Sequence, residues 1–211
     1  IEKQVPVRWM LFVFCWMNGR DDMLCAYEPD KEKFPNGFDA LITDIKQKSN
    51  ILWFGVWHAF GGYWAGVDPD SELAQLENNH LYATVNGRLV PNPVNGAGFY
   101  RNWYQLLKKQ QIDFVKVDGQ SAVPIYFQQD QPTASAARGM NRELDKGAEV
   151  MNGNVINCMG MAMESIVARP STGVSRNSDD FVPNREGGFA EHLLQNAYNA
   201  LYHNEIYHCD W

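Results

Sequence analysis

The 211-residue sequence lacks several patterns that would place it in large functional classes. It has no block of basic residues and a formal net charge of −7, which argues against nucleic acid or an anionic membrane surface as a partner. No apolar run approaches the roughly 18 residues that a membrane-spanning helix needs. With 45% hydrophobic and 20% charged residues, the chain has the composition of a globular protein with one sizeable core.

Cysteine and histidine are few and scattered. The four cysteines form no C-x-x-C pair and no zinc spacing, and the five histidines form no H-E-x-x-H pattern. We therefore expect no metal and no cofactor. Cys15, Cys158 and Cys209 each lie in an apolar, strand-like run, so we expect buried free thiols, which favour a reducing compartment such as the cytoplasm.

Aromatic residues are abundant, with seven Trp, nine Tyr and eleven Phe. Such rings serve as stacking platforms in sugar sites, although packing in a core is the commoner use. The chain starts at Ile1 without Met and ends at Trp211 within an apolar segment. We therefore expect an internal piece of a longer protein, accompanied by further domains of that protein or by an oligomeric partner.

Strand-like runs alternate with segments of helical spacing along the chain. Strands are predicted at Val7–Trp16, Ile51–Trp57, Ile112–Asp118, Val155–Met159, Gly173–Arg176 and Glu205–Cys209. Helices are predicted at Asn36–Lys48, Tyr100–Leu107, Ala134–Val150, Met161–Ala168 and Phe189–Tyr202. Repeated β-then-α units predict an α/β fold with parallel strands and helices outside them.

Residues 61–98 break this alternation. They include prolines at 91 and 93 and many asparagines, and Asn86-Gly87 separates Leu81–Val85 from Arg88–Val90, which is a strong hairpin signal. We interpret the segment as an excursion from the mouth of a (β/α)8 TIM-type barrel formed by residues 1–211. The barrel is expected to be incomplete, because eight strands and about 250 residues are typical of the fold.

The predicted strand Ile112–Asp118 ends on a carboxylate. Lys116 and Asp118 alternate onto one face of this apolar strand, and Gly119 releases the chain into a loop. Barrel enzymes carry their catalytic groups at the C-terminal tips of parallel strands. The alternative interpretation is a Lys–Asp ion pair that caps the strand.

Residues 173–181 contain a second candidate. The predicted strand ends at Arg176, and Asp179 and Asp180 follow within four residues. Glycoside cleavage needs two carboxyl groups, one to attack the anomeric carbon and one to protonate the leaving oxygen and later activate water. Asp118 and Asp180 lie two strands apart in the predicted order, so both could reach one pocket. The alternative for Arg176 and Asp180 is an N-terminal cap with a local ion pair.

Three motifs in register give the chain a resemblance to a known family. Lys116-Val-Asp118 resembles the nucleophile motif of glycoside hydrolase family 36, in the branch of raffinose synthases and seed-imbibition-type α-galactosidases. Residues 56–67 resemble the tryptophan–histidine loop of that branch, and residues 176–181 resemble its acid/base motif. The end of the chain, with Glu205 and residues 209–211, resembles the strand that follows.

The resemblance implies roles for individual residues. Asp118 would be the nucleophile, and Asp180 the acid/base, because the family places it four residues after an arginine. Arg176 would lie near the sugar 2-hydroxyl, and Lys116 would bind the 3- and 4-hydroxyls. The remaining substrate-binding residues that it implies are Trp16, Trp57, His58, Trp64, Cys158, Asp179 and Asp210.

The chain departs from the family at one motif. On the second barrel strand the family has an aliphatic residue followed by Asp-Asp-Gly-Trp, whereas this chain has residues 12–16, in which only Trp16 matches. Val13 and Phe14 thus replace carboxylates that grip the galactose 4- and 6-hydroxyls, at roughly 1.5–3 kcal/mol for each charged hydrogen bond. By this correspondence the chain covers strands two to seven of the barrel.

The implied activity is that of a retaining glycoside hydrolase acting on terminal α-linked galactose, by double displacement through Asp118 and Asp180. A raffinose- or stachyose-type galactosyltransferase would replace water with a sugar hydroxyl. An α-N-acetylgalactosaminidase would use the same chemistry. An inactive fragment or a non-catalytic sugar-binding barrel is the further alternative, which the lost aspartate pair favours.

Overall fold

The computed structural model describes residues 7–202 and 207–209. The strands in this part of the chain are β1 (Trp9–Phe12), β2 (Met17–Arg20), β3 (Met23–Pro29), β4 (Trp53–Ala59), β5 (Gly66–Val67), β6 (Leu81–Ala83), β7 (Leu89–Pro91), β8 (Phe114–Asp118), β9 (Val155–Asn157), β10 (Val174–Arg176) and β11 (Tyr207–Cys209). The α-helices are α1 (Gly37–Lys48), α2 (Glu72–Leu76), α3 (Ala97–Lys109), α4 (Val123–Phe127), α5 (Thr133–Gly147), α6 (Met163–Ile166) and α7 (Gly188–Tyr202). Short 3-10 helices follow β8 at Gln120–Ala122 and α5 at Ala148–Met151.

Six parallel strands form the main sheet, in the order β1-β4-β8-β9-β10-β11. Each predicted strand overlaps a strand of this sheet, although β1 covers only part of Val7–Trp16 and the start of Glu205–Cys209 lies outside the described residues. The α/β class is confirmed. Parallel neighbours need crossover connections, which the helices between consecutive strands supply. Within the described residues β1 and β11 are edge strands, so the sheet is open there, and a closed barrel is not confirmed.

A second sheet, with the order β2-β3-β5-β7-β6, was not predicted. The prediction of one strand over Val7–Trp16 is wrong, because β1 ends at Phe12 and Cys15 has a left-handed backbone with φ 62°. The chain then forms an antiparallel hairpin of β2 and β3. Its turn is at Asp21 and Asp22, whose φ values of 51° and 60° a short polar side chain tolerates better than most.

Residues 61–98 belong to this second sheet. The hairpin predicted at Asn86-Gly87 is confirmed, since β6 pairs antiparallel with β7 and Gly87 has a φ of 76° in the turn. β5 pairs parallel with β3 and antiparallel with β7. The segment is therefore joined by strand pairing to the hairpin that follows β1.

Aromatic side chains pack the helices against the main sheet. The buried face of α3 consists of Ala97, Gly98, Phe99, Tyr100, Trp103, Tyr104 and Leu107, at helical spacing. Trp103 lies 4.5 Å from the ring of His58 on β4. On β1, Phe12 stacks 5.1 Å from Phe38 of α1. Both contacts bury one face of the sheet under its helix layer.

The thiols differ in burial. Cys158 is buried as predicted, whereas Cys15 is exposed, so that prediction is wrong. The turn at Cys15 leads out of β1 and leaves its side chain at the surface. The side chain of Cys209 lies outside the described part of the chain. Among residues 7–202 and 207–209, no helix combines the length and apolar character needed to cross a membrane.

Candidate active site

The C-terminal ends of three adjacent strands bring predicted site residues together. Asn157 of β9 pairs with Val117 of β8 on one side and with Ser175 of β10 on the other. One residue further along, Cys158 follows the end of β9, and its N–H donates to the Val117 carbonyl over 2.9 Å. The resulting row, called the site row below, consists of Asp118, Cys158 and Arg176. Because side chains alternate along a strand, the site row faces away from the preceding row.

Asp118 is held in a fixed orientation at the end of β8. It is 8% exposed. The indole Nε1 of Trp57 donates to Asp118 Oδ2 over 2.9 Å, and the backbone N–H of Gly119 donates to Oδ1 over 2.7 Å. Gly119 has a φ of 68°, which glycine adopts without strain. One edge of the carboxylate is thus anchored by the neighbouring strand and the other by the following turn.

Lys116 shares the strand face of Asp118 and is also buried. In the sheet it stands opposite Trp57. Its positive charge acts on Cys158 and works to lower the pKa of that thiol. The structure therefore places Lys116 in the electrostatic surroundings of the site row.

Cys158 lies between the two charged members of the site row. Burial raises the pKa of its thiol to about 12, and the charge of Asp118 acts in the same direction. Arg176 Nη1 approaches the sulfur at 3.8 Å and opposes the rise. The side chain is consequently a neutral thiol near pH 7 and a hydrogen-bonding spacer, because only a thiolate is a competent nucleophile.

Arg176 joins the site row to Asp180. Its Nη1 lies 2.6 Å from Asp180 Oδ1, and the two side chains are 4% and 78% exposed. Burial works to lower the pKa of Arg176, but hydrogen bonds and charge from Cys158 and Asp180 outweigh it and leave the pKa raised. The guanidinium is thus a permanent cation that holds Asp180 at the rim of the site.

Asp179 is also exposed, next to α7. Its backbone N–H donates to Gln195 Oε1 over 2.7 Å, and Gln195 Nε2 donates to its carboxylate over 3.3 Å. This contact ties the loop after β10 to α7. Asp210 lies outside the described residues.

Three aromatic rings form a cluster beside Asp118. Phe14 and Trp64 lie 4.7 Å and 5.0 Å from the ring of Trp57, which is fully buried. Phe14 is 55% exposed and Trp64 38% exposed. A Cβ placed on Gly119 would stand 3.2 Å from the Trp64 ring, so Trp64 covers the turn that follows Asp118. This aromatic cluster of Phe14, Trp57 and Trp64 presents apolar ring surface beside the carboxylate.

The structure places Trp16 and His58 in the core. Trp16 is buried and donates its Nε1 to the Trp57 carbonyl over 2.7 Å. His58 is fully buried, with Nε2 2.8 Å from the Tyr104 hydroxyl and Nδ1 2.9 Å from the Ala59 carbonyl. Burial lowers its pKa to about 4, so the imidazole is neutral near pH 7. Both residues support β4 through these contacts.

Sequence reasoning missed Phe14 as a member of the site. It treated this position as a loss of charge, whereas the ring contacts both Trp57 and Trp64. A possible signal was the aromatic residue standing two places before Trp16. Within the described part of the chain, no group of three or more His, Cys, Asp or Glu side chains is arranged to hold a metal ion.

The fold has a counterpart among solved structures. It is similar to that of an α-galactosidase from Thermus thermophilus in complex with stachyose, with a TM-score of 0.59 and 19% sequence identity. The match covers 96% of this chain and 46% of the other. At this identity the likeness shows the α/β fold alone.

The family follows from the sequence. Residues 25–211 match the family model described as raffinose synthase or seed imbibition protein Sip1, and the chain belongs to this family. The resemblance drawn from the three motifs is therefore confirmed. The matched range begins after residues 13–16, where the chain departs from the Asp-Asp-Gly-Trp motif.

Two curated relatives come from Arabidopsis thaliana. The chain is 28% identical over 192 residues to probable galactinol–sucrose galactosyltransferase 1, covering 81% of this chain and 26% of the relative. It is 26% identical over 205 residues to probable galactinol–sucrose galactosyltransferase 6, covering 86% and 27%. The chain thus spans about a quarter of the length of these relatives.

Proposed function

We propose that this chain carries the nucleophile and the acid/base of a retaining enzyme acting on terminal α-linked galactose. The observation that supports this most is the site row. A buried carboxylate, Asp118, is oriented by two N–H donors and connects through Cys158 and Arg176 to a second carboxylate, Asp180. Two carboxyl groups on one side of a sheet are the minimum that double displacement requires.

In the proposed mechanism Asp118 attacks the anomeric carbon while Asp180 gives its proton to the leaving oxygen. A glycosyl ester forms on Asp118, and Asp180 then takes a proton from the incoming hydroxyl, which releases the sugar with retained configuration. Arg176 orients Asp180, and Lys116 and Arg176 offer donors to sugar hydroxyls. We predict a separation of roughly 5–6 Å between the two carboxyl groups during turnover, as in retaining enzymes.

Hydrolysis and galactosyl transfer differ only in the hydroxyl that enters in the second step. The names of the Arabidopsis relatives, both probable galactosyltransferases, favour transfer as a second candidate. The exposed rings of Phe14 and Trp64 offer apolar surface on which an acceptor sugar could lie. Incubating an activated α-galactoside with and without sucrose, and separating free galactose from the trisaccharide, distinguishes the two.

We also propose that residues 1–211 form one catalytic segment of a TIM-type barrel and contribute strands two to seven. The parallel order of six strands, with site residues at their C-terminal ends, supports this arrangement. Further domains or a partner would lie outside this segment.

The nucleophile is tested by Asp118→Ala in the longest active polypeptide that contains this chain. We expect turnover of an activated α-galactoside to be abolished and partly restored by azide, which can replace the missing carboxylate. Asp113→Asn is the matched control, because Asp113 precedes the same strand and binds the Phe54 N–H at 2.9 Å. Near-normal turnover by Asp118→Ala would mean that Asp118 is structural.

A further inference from the structure

A buried polar network lies on the other face of the strands that carry the site row. Gln120 Nε2 donates to Asn157 Oδ1 over 2.8 Å. Arg169 donates from Nη1 to Gln120 Oε1 over 2.9 Å and from Nη2 to Ser175 Oγ over 2.7 Å. All four side chains are buried. The network therefore links the turn after β8 with β9 and β10.

Each contact of this network lies next to a member of the site row. Asn157 immediately precedes Cys158, and Ser175 immediately precedes Arg176. Gln120 follows Asp118 by two residues and also donates to the Val117 carbonyl over 3.2 Å. A shift of these side chains would move the strand ends, and with them the row on the opposite face.

Arg169 is the member of the network that bridges the turn after β8 and strand β10. Its two terminal nitrogens donate to neutral oxygens on different elements, and Asp145 acts on it through charge, without a hydrogen bond, in the described part of the chain. Burial lowers its pKa to about 10, which leaves it protonated near pH 7. A buried cation is costly unless it is fully hydrogen-bonded, so its presence needs a reason.

The surroundings of Arg169 fit a planar fork. A Cβ on Gly160 would stand 2.4 Å from Gln120 Oε1 and 2.5 Å from Arg169 Nη1, so the loop after β9 closes directly on this pair. The rigid guanidinium reaches two acceptors in fixed directions, whereas a lysine ammonium is a point donor on a flexible stem. Few side chains could occupy this space and make both bonds.

We propose that Arg169 is a positioning residue, which fixes the spacing of β8 and β10 by bridging Gln120 and Ser175, and so holds Asp118 in place relative to Arg176. Its effect on turnover rests on the proposed function. Its effect on the geometry of the site row does not depend on the proposed function. That geometry can be measured separately, through the reactivity of the buried thiol of Cys158.

The test compares Arg169→Met with Asn141→Leu, in the longest polypeptide that contains this chain. Asn141 is a fully buried polar residue of α5, whose amide donates to the Ala137 carbonyl over 2.8 Å and to Ser165 Oγ over 3.2 Å, and neither acceptor belongs to the network. Alkylation of Cys158 by iodoacetamide at pH 9 is followed by peptide mass spectrometry, with exposed Cys15 as the internal reference. kcat, KM and Tm are measured for the same proteins.

We expect Arg169→Met to speed the alkylation of Cys158 about tenfold and to lower kcat about tenfold to a hundredfold with little change in KM, because misplacement by about 1 Å has effects of that size. Asn141→Leu should lower Tm by a comparable amount and leave both the alkylation rate of Cys158 and kcat unchanged. Arg169→Lys should restore little, since one ammonium does not span both acceptors.

Ser175→Ala tests the same bridge with a smaller change. It removes the acceptor of Arg169 Nη2 and nearly conserves volume, so it should shift Cys158 alkylation in the same direction even if Arg169→Met does not fold. Alkylation in these variants equal to that in Asn141→Leu would overturn the proposal. If no polypeptide turns over an α-galactoside, the proposed function fails, while the alkylation rates alone decide the positioning role.

Discussion

Among single residues, Trp57 connects the core to the site through two hydrogen bonds. Its indole nitrogen donates to Asp118, and its carbonyl accepts from Trp16. The ring also forms the floor of the aromatic cluster. Trp57, held in the core on β4, thus fixes the orientation of the Asp118 carboxylate at the end of β8.

Trp57→Phe keeps most of the ring and removes the donor. A hydrogen bond to a charged group contributes about 1.5–3 kcal/mol, so we expect kcat/KM to fall about tenfold to a hundredfold as Asp118 loses its fixed orientation. Trp103→Phe is the matched control, because that indole donates to the Tyr27 carbonyl over 3.2 Å in the core. Steady-state kinetics that show equal losses in both variants would contradict a specific role for Trp57.

His58 makes stability depend on pH. Burial depresses its folded-state pKa to about 4, below the usual 6.5, so between these values the unfolded chain binds more protons. The contribution of buried, neutral His58 to the free energy of unfolding is fully present above pH 6.5 and is lost as pH falls towards 4. At about 1.4 kcal/mol per pKa unit, it amounts to roughly 3 kcal/mol.

Urea unfolding at pH 7.5, 5.5 and 4.5 measures how the free energy of unfolding changes with pH. His58→Phe should flatten this pH dependence of the free energy of unfolding. An unchanged slope in His58→Phe would assign the acid sensitivity to other groups.

The sequence predicts charged residues at strand ends. It does not predict the side chains on the opposite face of the sheet that hold these strand ends in place. Asp118 and Arg176 each close an apolar run, so both were predicted, and the register then aligns Cys158 with them. Arg169 gave no signal, because its partners, Gln120 and Ser175, are distant from one another in sequence. Only the fold shows that they meet.

Among elements, the turn after β8 is the most constrained part of the site. Gly119 combines a φ of 68° with the overlying ring of Trp64, and its N–H binds Asp118. By contrast, Gly87 has a φ of 76° in the β6–β7 turn, and a Cβ placed on it would meet nothing within 4 Å. Making the same substitution at both glycines therefore distinguishes the cost of a left-handed backbone from the cost of contact with Trp64.

Gly87→Ala should cost about 1 kcal/mol of unfolding free energy, from the left-handed backbone alone. Gly119→Ala should cost more and should also reduce kcat, because its Cβ pushes against Trp64 and disturbs the donor to Asp118. Chemical denaturation and steady-state kinetics on both variants test this. Equal stability losses, with activity retained in Gly119→Ala, would show that Trp64 yields without consequence.

Short apolar runs predicted the strands of the main sheet, and apolar residues at helical spacing predicted the helices beside it. The β2–β3 hairpin escaped prediction because β2 has only four residues and is polar at Asn18 and Arg20. The break between β1 and β2 depends on a positive φ at Cys15, a residue type that does not favour it. Local pattern alone does not indicate such a turn.

In the whole molecule, large apolar groups remain exposed on the main sheet and on α7. Trp9 and Trp53 are 51% and 50% exposed on neighbouring strands, and Leu194 and Leu201 are exposed on the helix. Contiguous apolar surface and unpaired strand edges promote association. We therefore predict that the isolated 211-residue polypeptide is poorly soluble, self-associates or binds a partner.

The same polypeptide should show no measurable α-galactosidase activity, because in the proposed arrangement it supplies only six of the eight barrel strands, and because Val13 and Phe14 stand where the resemblance implies carboxylates. Size-exclusion chromatography with light scattering, together with a nitrophenyl α-galactoside assay, tests both expectations. A monodisperse, active monomer would refute them together.

The end of β1 divides two tasks between adjacent residues. Phe12 packs against the ring of Phe38 on α1, whereas Val13 and Phe14 follow the last paired residue and are 38% and 55% exposed. Replacing exposed residues usually changes stability little, while replacing a packed aromatic residue changes it greatly. A lineage could therefore lose or regain an acidic pair at this position without passing through an unfolded ancestor, and under the proposed function its sugar preference would change here while the architecture stayed constant.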